Sequence, residues 1–278
     1  SGLRRERPPT AGPFSLSSDI DERHLTSFRH KKTNVGTIRV TRPIYGGVIV
    51  LRTARLAVGA LVVALTLTVA APAHAAVWSS TDRWGTWTNG GYTLYNNIWG
   101  NGYGAQTIWA DSYSSWGVWA NHPNTGGIKS YPNATKWVGK KVSALGTTTS
   151  SFNVTVPTSG VAFTTAYDIW SSDNAHEIML WMNKYGAVGP LGTLQTTQSV
   201  GGHTWQIYRG SNGANNVYSF VRTGNTSSGT VDIRAIAQWL RTNGWWGDVT
   251  VGNVQFGYEI TSSAGGRDFV TNSFSVTA

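Results

Sequence analysis

The chain has 278 residues, enough for one large domain or two small ones, and it contains no cysteine, which excludes disulfide bonds and thiolate chemistry. Its net charge of +9 is concentrated in residues 1–76, where 11 Lys and Arg stand against 4 Asp and Glu. In residues 77–278 the counts are 11 and 9, so this part is close to neutral and a nucleic-acid partner is not expected.

Residues 1–51 show no sustained hydrophobic periodicity and are rich in Arg, Pro, Ser and Thr. This composition predicts a disordered leader. The first methionine of the sequence is Met179, and we therefore hypothesise that translation begins near Val50. In that case residues 1–49 would not belong to the natural protein.

Residues 52–75 have the features of a secretory signal peptide. Two arginines precede an apolar run at residues 56–69, and Ala73-His74-Ala75 provides a small-x-small cleavage site. The alternative is a membrane-spanning helix, but that needs about 20 apolar residues, and this run is shorter and ends before Pro72. We expect a mature protein that begins near Ala76, is extracellular and has no membrane contact after cleavage.

From residue 77 the sequence changes to short apolar-polar alternations separated by Gly, Asn, Ser and Thr. This spacing predicts an all-β sandwich in which residues 76–278 form one domain, with no second domain and no internal repeat. About 200 residues are sufficient to bury a core between two sheets. The clearest alternating segments are residues 92–95, 151–156, 161–170, 204–209, 217–222 and 268–276.

One segment, residues 231–242, has helical periodicity instead. Between residues 231 and 240 four apolar side chains share one helical face, and Asn243-Gly244 is a typical helix stop. The four are Ile233, Ile236, Ala237 and Leu240.

Two glutamates stand out because they are the only ones after residue 77. Read as a strand, residues 175–181 place Glu177 on the same face as Met179 and Trp181. Residues 255–261 place Glu259 on the polar face of a strand whose other face is apolar. This pattern suggests a paired-carboxylate site, and the alternative is that both are solvated sheet residues.

A glycosidase with two glutamates needs one ionised carboxylate as nucleophile and one protonated carboxyl as general acid. The charge of the first raises the pKa of the second and keeps it protonated. Asp168 is a candidate third member that would hydrogen-bond the nucleophile, although a carboxylate at a strand end or turn is the alternative reading.

The tryptophans are the second functional clue. All 14 lie between Trp78 and Trp246, and flat aromatic rings suit the apolar faces of sugar rings. The alternative is that they are core residues. Six of the tryptophans crowd the first third of the domain: Trp84, Trp87, Trp99, Trp109, Trp116 and Trp119.

The histidines have no metal-ligand spacing, and no phosphate loop or Gly-x-Ser-x-Gly motif is present, so we predict neither metal nor cofactor.

Several motifs, in one order from about residue 78 to residue 278, resemble glycoside hydrolase family 12. The resemblance implies a two-sheet β-jelly-roll sandwich with a concave substrate cleft and one α-helix. It also implies a retaining endo-β-1,4-glucanase, with xyloglucan or mixed-linkage glucan as further substrates. The motifs are Asp82-Arg83-Trp84, residues 91–100, residues 128–131, Ala166-Tyr167-Asp168, residues 177–181, residues 184–190, Val217-Tyr218-Ser219-Phe220 and residues 255–259.

By the same resemblance Glu177 is the nucleophile, Glu259 the acid/base and Asp168 the support for the nucleophile. The expected partner is a β-glucan polysaccharide, bound by a secreted monomer. Two departures are noted: many members have an N-terminal disulfide, which this chain lacks, and Thr164 stands where some have Asn. The implied substrate-binding residues are Trp84, Asn97, Trp99, Met179, Trp181 and Pro190.

Two other readings stay open at this point. A non-catalytic carbohydrate-binding module would keep the Trp face without needing both acids. A xylanase of the related family 11 would have a similar jelly roll.

Overall fold

The computed structural model of the protein describes residues 75–278. The predicted leader and signal peptide fall almost wholly outside the described residues. Within them, fifteen strands, numbered β1 to β15 in chain order, form two sheets, with one α-helix. No helix among these residues is long and apolar enough to cross a membrane. The two sheets and the single α-helix confirm the predicted all-β class.

The smaller sheet has six strands in the spatial order β1-β4-β5-β15-β7-β13, all of them antiparallel neighbours. Its strands are β1 (Trp78–Ser80), β4 (Ala105–Ala110), β5 (Trp116–Asn121), β7 (Thr149–Thr155), β13 (Ser228–Asp232) and β15 (Arg267–Thr277).

The larger sheet has nine strands in the order β10-β11-β12-β9-β8-β14-β6-β3-β2. Neighbours are antiparallel except β9 and β12, which run parallel. Its strands are β2 (Thr86–Asn89), β3 (Tyr92–Tyr95), β6 (Asn133–Lys141), β8 (Ala162–Ser171), β9 (His176–Tyr185), β10 (Thr193–Val200), β11 (His203–Ser211), β12 (Asn216–Arg222) and β14 (Thr250–Ser262).

The hydrophobic core is built from alternate residues of these strands. On β14, Phe256, Tyr258 and Ile260 are fully buried, and on β9 the same is true of Ile178 and Leu180. Each such side chain contributes about 1.5–3 kcal/mol by leaving water. The opposite face of the larger sheet carries Asp168, Glu177 and Glu259, and we call it the site face.

The helix begins two residues later than its periodicity predicts. Val231 belongs to β13, where it pairs with Ser150, and α1 (Ile233–Thr242) follows. Asp232 is the N-cap: its carboxylate accepts a hydrogen bond from the backbone N–H of Ala235 at 2.9 Å. Because an N-cap residue has non-helical backbone angles, Asp232 can be the last residue of β13 and also cap the first turn of α1. The four predicted apolar residues of the helix are all buried in the core.

Candidate active site

The three carboxyl groups lie on three neighbouring strands. β8 is central and carries Asp168, while β9 with Glu177 and β14 with Glu259 flank it. Along β8, Glu177 is opposite Trp170 and Glu259 is opposite Thr164. Because side chains alternate with a period of two, all three acids point from the site face.

The strand register alone does not bring the two glutamates together. Thr164 and Trp170 are six residues apart on β8, about 20 Å in a flat, extended strand. Nevertheless the charge of Glu177 helps to raise the pKa of Glu259, which indicates that the two carboxyls are close enough to interact.

Burial raises the pKa of all three carboxyls, but to different degrees. The pKa of Glu177 is raised to about 7 by burial, against the opposing effect of a hydrogen bond from Asn215. The pKa of Glu259 is raised to about 8, by burial and by the charge of Glu177, although part of its side chain is open to solvent. That of Asp168 is raised well above its usual range by burial and by both glutamates. Of the two glutamates, Glu177 has the lower pKa, because the hydrogen bond from Asn215 favours its ionised form.

The side-chain Oδ1 of Asp168 is completely buried and has no hydrogen-bond partner among the described residues. The hydrogen bond expected between Asp168 and Glu177 is therefore not formed here, and the two groups interact through their charges. Burial and the charges of both glutamates raise the pKa of Asp168, so its environment favours the protonated form of this carboxyl.

Tyr131 is a site residue that sequence reasoning did not single out. An antiparallel bridge between Ser130 and Ile260 places Tyr131 beside Glu259. Its hydroxyl donates a hydrogen bond to the carbonyl of Ala166 at 3.2 Å. Burial and the charges of the three acids raise the pKa of this phenol, which stays a hydrogen-bond donor between them. Its only sequence signal was its position in the motif at residues 128–131.

Gly257 allows β14 and the chain before β6 to approach closely. A Cβ atom at this position would lie 2.0 Å from the Pro132 carbonyl oxygen. Because that oxygen belongs to the backbone, it cannot move aside as a flexible side chain could. We expect Gly257→Ala to lower the free energy of unfolding by about 3 kcal/mol, measured by chemical denaturation. The matched control is Gly146→Ala, because nothing lies within 4 Å of that added Cβ. Equal stability of the two variants would contradict the packing assigned to Gly257.

Met179 and Trp181 form a small apolar cluster on the site face. Both are buried, and they pack with Ala166, Val217 and Val221. The indole Nε1 of Trp181 is buried without a partner among the described residues. The segment after β9 contributes Val188 to this cluster, while the nearby Pro190, a predicted substrate contact, is half-buried.

Exposed aromatic residues occupy the loops before and after β2 and β3. Trp84 is 54% exposed, Trp99 43% and Tyr103 45%. The Arg83 guanidinium lies over the rings of Trp84 and Tyr103, at 5.1 and 4.9 Å from their centroids. It also donates hydrogen bonds to the carbonyls of Trp99, at 3.0 Å, and Ile98. These contacts hold the rings of Trp84 and Tyr103 and the backbone at Trp99, and Arg83 and Tyr103 were not predicted as site residues.

Asn97 connects this loop to the acids. It is one of two non-glycine residues with a positive φ among the described residues, at 42°. Its side-chain Nδ2 donates to the Tyr131 carbonyl at 3.1 Å, and its own carbonyl accepts from the Tyr131 N–H at 3.0 Å. One of the two N–H groups of the Asn97 amide is therefore engaged with the protein, and its Oδ1 accepts no hydrogen bond from the described residues.

A buried polar network connects the end of the hairpin formed by β2 and β3 to the smaller sheet. Asn96 donates to the Asp82 carbonyl at 2.8 Å and accepts from Gln106 at 2.8 Å. Gln106 is bonded to His122, and burial lowers the pKa of this histidine to about 4, which keeps it neutral. The hairpin is thus joined to the smaller sheet by neutral hydrogen bonds.

The tryptophans range from fully buried to exposed. Trp116 and Trp205 are fully buried core residues, whereas Trp84, Trp99, Trp119 and Trp137 are exposed. Trp119 belongs to β5 in the smaller sheet, away from the site face. The core reading is therefore right for some tryptophans and wrong for others.

Comparison with known proteins agrees with this geometry. The sequence pattern described as glycosyl hydrolase family 12 matches residues 90–278. The chain is 32% identical over 235 residues to a probable xyloglucan-specific endo-β-1,4-glucanase A of Aspergillus fumigatus, which covers 78% of this chain and 98% of that protein.

Two solved structures are similar to the described fold. One is the xyloglucanase domain of NopAA, a type three effector from Sinorhizobium fredii, in complex with cellobiose. It has a TM-score of 0.71 and 43% identity, covering 73% of this chain and 99% of that chain. The other is a native family 12 xyloglucanase from Bacillus licheniformis, with a TM-score of 0.64 and 29% identity, covering 72% and 99%.

Proposed function

The chain belongs to glycosyl hydrolase family 12, and from this membership we propose how its carboxyl groups cleave a β-glucan. It is an endo-acting β-1,4-glucan hydrolase, and its fold is the jelly-roll sandwich of its relatives. In our proposal Glu177 is the nucleophile, Glu259 is the acid/base and Asp168 supports Glu177. The glucan lies across the site face, with Trp84, Asn97, Trp99, Met179, Trp181 and Pro190 along the cleft.

The placement of the three carboxyls on the neighbouring strands β8, β9 and β14 of the site face, in a member of this family, carries this assignment. The Asn215 hydrogen bond favours the ionised form of Glu177, as a nucleophile needs, while burial and the Glu177 charge favour the protonated form of Glu259 that the leaving group needs. The effect of the Glu177 charge on the pKa of Glu259 supports an interaction between the two carboxyls, and a retaining glycosidase needs them about 5–5.5 Å apart. The reaction then passes through a covalent glycosyl-enzyme on Glu177.

In the first step Glu177 forms a bond to the anomeric carbon while the bond to the glycosidic oxygen breaks, and Glu259 transfers its proton to that oxygen. In the second step Glu259, now ionised, removes a proton from water, whose oxygen attacks the anomeric carbon. The bond to Glu177 breaks, and both carboxyls return to their starting states with the β configuration retained.

A bell-shaped pH profile follows from the two roles. Activity should rise with pH as Glu177 ionises near its pKa of about 7, and fall as Glu259 loses its proton near about 8. We expect kcat/KM on a soluble β-glucan to peak between these values. A profile that stays flat from about pH 6 to about pH 10 would contradict the ionisation states assigned here.

Trp99 is proposed to stack on a glucosyl ring on the donor side of the cleft. Trp99→Ala should raise KM about tenfold on soluble β-glucan, which corresponds to about 1.4 kcal/mol, or lower kcat if stacking strengthens in the transition state. Trp119→Ala is the matched control, because Trp119 is similarly exposed but lies on the smaller sheet. If Trp99→Ala lowers stability and leaves the kinetics unchanged, Trp99 is a structural residue.

The preferred glucan is tested by comparing hydrolysis of several polysaccharides. Relatives named as xyloglucan-specific make tamarind-type xyloglucan the first substrate to compare with carboxymethyl cellulose, barley glucan and xylan. Reducing ends released from β-glucans, and none from xylan, are the expected result.

Secretion through the predicted signal peptide should give an exported protein that begins near Ala76. Mass spectrometry of the exported protein measures this N-terminus.

A further inference from the structure

We propose that Asn215 is a positioning residue for Glu177, and that Asn212 sets the direction in which the Asn215 amide faces. The inference rests on the proposed function, because it concerns the group assigned as nucleophile. It is carried by a short loop, residues 212–215, that joins β11 to β12 and reaches the start of β9.

The parallel pairing of β12 with β9 brings this loop to the site. Asn216 pairs with His176 and Val217 with Glu177, so the residue before β12 lies beside the nucleophile. The amide Nδ2 of Asn215 donates to Glu177 Oε2 at 3.1 Å, and both side chains are buried. Asn215 is the one hydrogen-bond partner of this carboxyl among the described residues.

The orientation of the Asn215 amide is set by a chain of hydrogen bonds that begins at the backbone. Asn212 Oδ1 accepts from the N–H groups of Ala214 and Asn215, both at 2.9 Å, so the Asn212 oxygen must face them. Its Nδ2 then donates to Asn215 Oδ1 at 2.8 Å. Since that oxygen is already engaged, only the nitrogen of the Asn215 amide can face Glu177.

The loop itself is closed by Ser211. Its Oγ donates to the Asn215 carbonyl at 2.9 Å and accepts from the Gly213 N–H at 3.1 Å. Asn215 is therefore held by its backbone as well as by its side chain. A donor fixed in this way stabilises the ionised carboxylate and limits its rotation.

The titratable groups around Glu177 supply no positive charge that would favour its ionised form. Asp168 comes from β8, Glu259 from β14 and Tyr131 from the chain before β6, and none is a cation. On the other side, β12 places Val217 opposite Glu177 and offers no titratable group there. The amide of Asn215 is thus the one contact that favours the charge a nucleophile needs.

The test is a direct titration of the Glu177 carboxyl by carbon-13 NMR. The full chain has four glutamates, Glu6, Glu22, Glu177 and Glu259, so labelling the side-chain carboxyl of glutamate yields few signals. The signal that is lost in Glu177→Gln is the signal of the Glu177 carboxyl. The readout does not depend on turnover, so its result is separate from the test of the proposed function.

We expect Asn215→Ala to raise the pKa of Glu177 by about 1 pH unit, and Asn215→Leu, of similar size to Asn, to do the same if the smaller variant is unstable. Asn212→Ala should shift the pKa in the same direction by less, because the Asn215 amide is then free to turn. The acid limb of the kcat/KM profile should move with it, while KM on soluble glucan stays within about twofold.

Asn216→Ala is the control. Asn216 is the exposed neighbour of Asn215, and its side chain makes no hydrogen bond among the described residues, so the pKa of Glu177 should not move. An unchanged pKa in both Asn215 variants would overturn the positioning role. A shift with Asn215 variants but none with Asn212→Ala would overturn the part assigned to Asn212.

Discussion

Glu177→Gln is expected to lower hydrolysis of every β-glucan by about four orders of magnitude or more. The amide has the shape of the carboxylic acid but cannot form the covalent bond to the anomeric carbon. Release of reducing ends from soluble β-glucan measures the loss. Activity within about tenfold of the native enzyme would exclude Glu177 as nucleophile.

Chemical rescue distinguishes loss of the nucleophile from loss of the fold. In Glu177→Ala, added azide can occupy the vacated space and attack the anomeric carbon of an aryl β-glycoside, while the aryloxide departs with the bonding electrons. Because this is a single displacement at the face opposite the leaving group, the product should be the α-glycosyl azide. A β-azide from this variant would place the nucleophile at another residue.

Glu259→Gln is expected to lower hydrolysis of natural β-glucans by about 10²–10⁴-fold, the usual contribution of a general acid. An aryl glycoside with a good leaving group needs no protonation, so the first step should be nearly unaffected on that substrate. A burst of aryloxide followed by a slow steady rate is the expected observation, since the second step still needs a base. An equal loss on both kinds of substrate would contradict the acid/base role.

The same variant has a pH-dependent effect on stability. Burial raises the pKa of Glu259 to about 8, above its value in the unfolded chain of about 4.3. The native state therefore holds the proton more tightly, and stability is lost as the pH rises from about 4.3 through about 8. Thermal unfolding of Glu259→Gln should match the native protein at about pH 4 and exceed it at about pH 9.

Local alternation along the chain was sufficient to predict much of the fold and the acids. The period of two in residues 175–181 and 255–261 identified β9 and β14, and with them the faces that carry Glu177 and Glu259. These residues alternate because one side of the sheet must bury apolar groups. The assignment of Glu177 as nucleophile and Glu259 as acid/base came from the resemblance to the family, not from the alternation.

Features that depend on contacts between distant residues were not predictable in this way. Asn215 lies in a run of small polar residues that signals only a turn, and it reaches Glu177 through the parallel pairing of β12 with β9. Arg83 is separated from Trp99 and Tyr103 in sequence, and only the folded loops bring them together. The start of the helix was misplaced because Val231 fits a helical apolar face as well as a strand.

The anomeric configuration of the first-formed product tests the proposed mechanism most directly. Proton NMR during the first minutes of hydrolysis of a soluble β-1,4-glucan distinguishes the two anomers before they interconvert. Attack by Glu177 followed by attack of water gives two inversions, so the β-anomer should appear first and the α-anomer should grow in later. If the α-anomer appears first, hydrolysis is a single displacement by water and Glu177 is not the nucleophile.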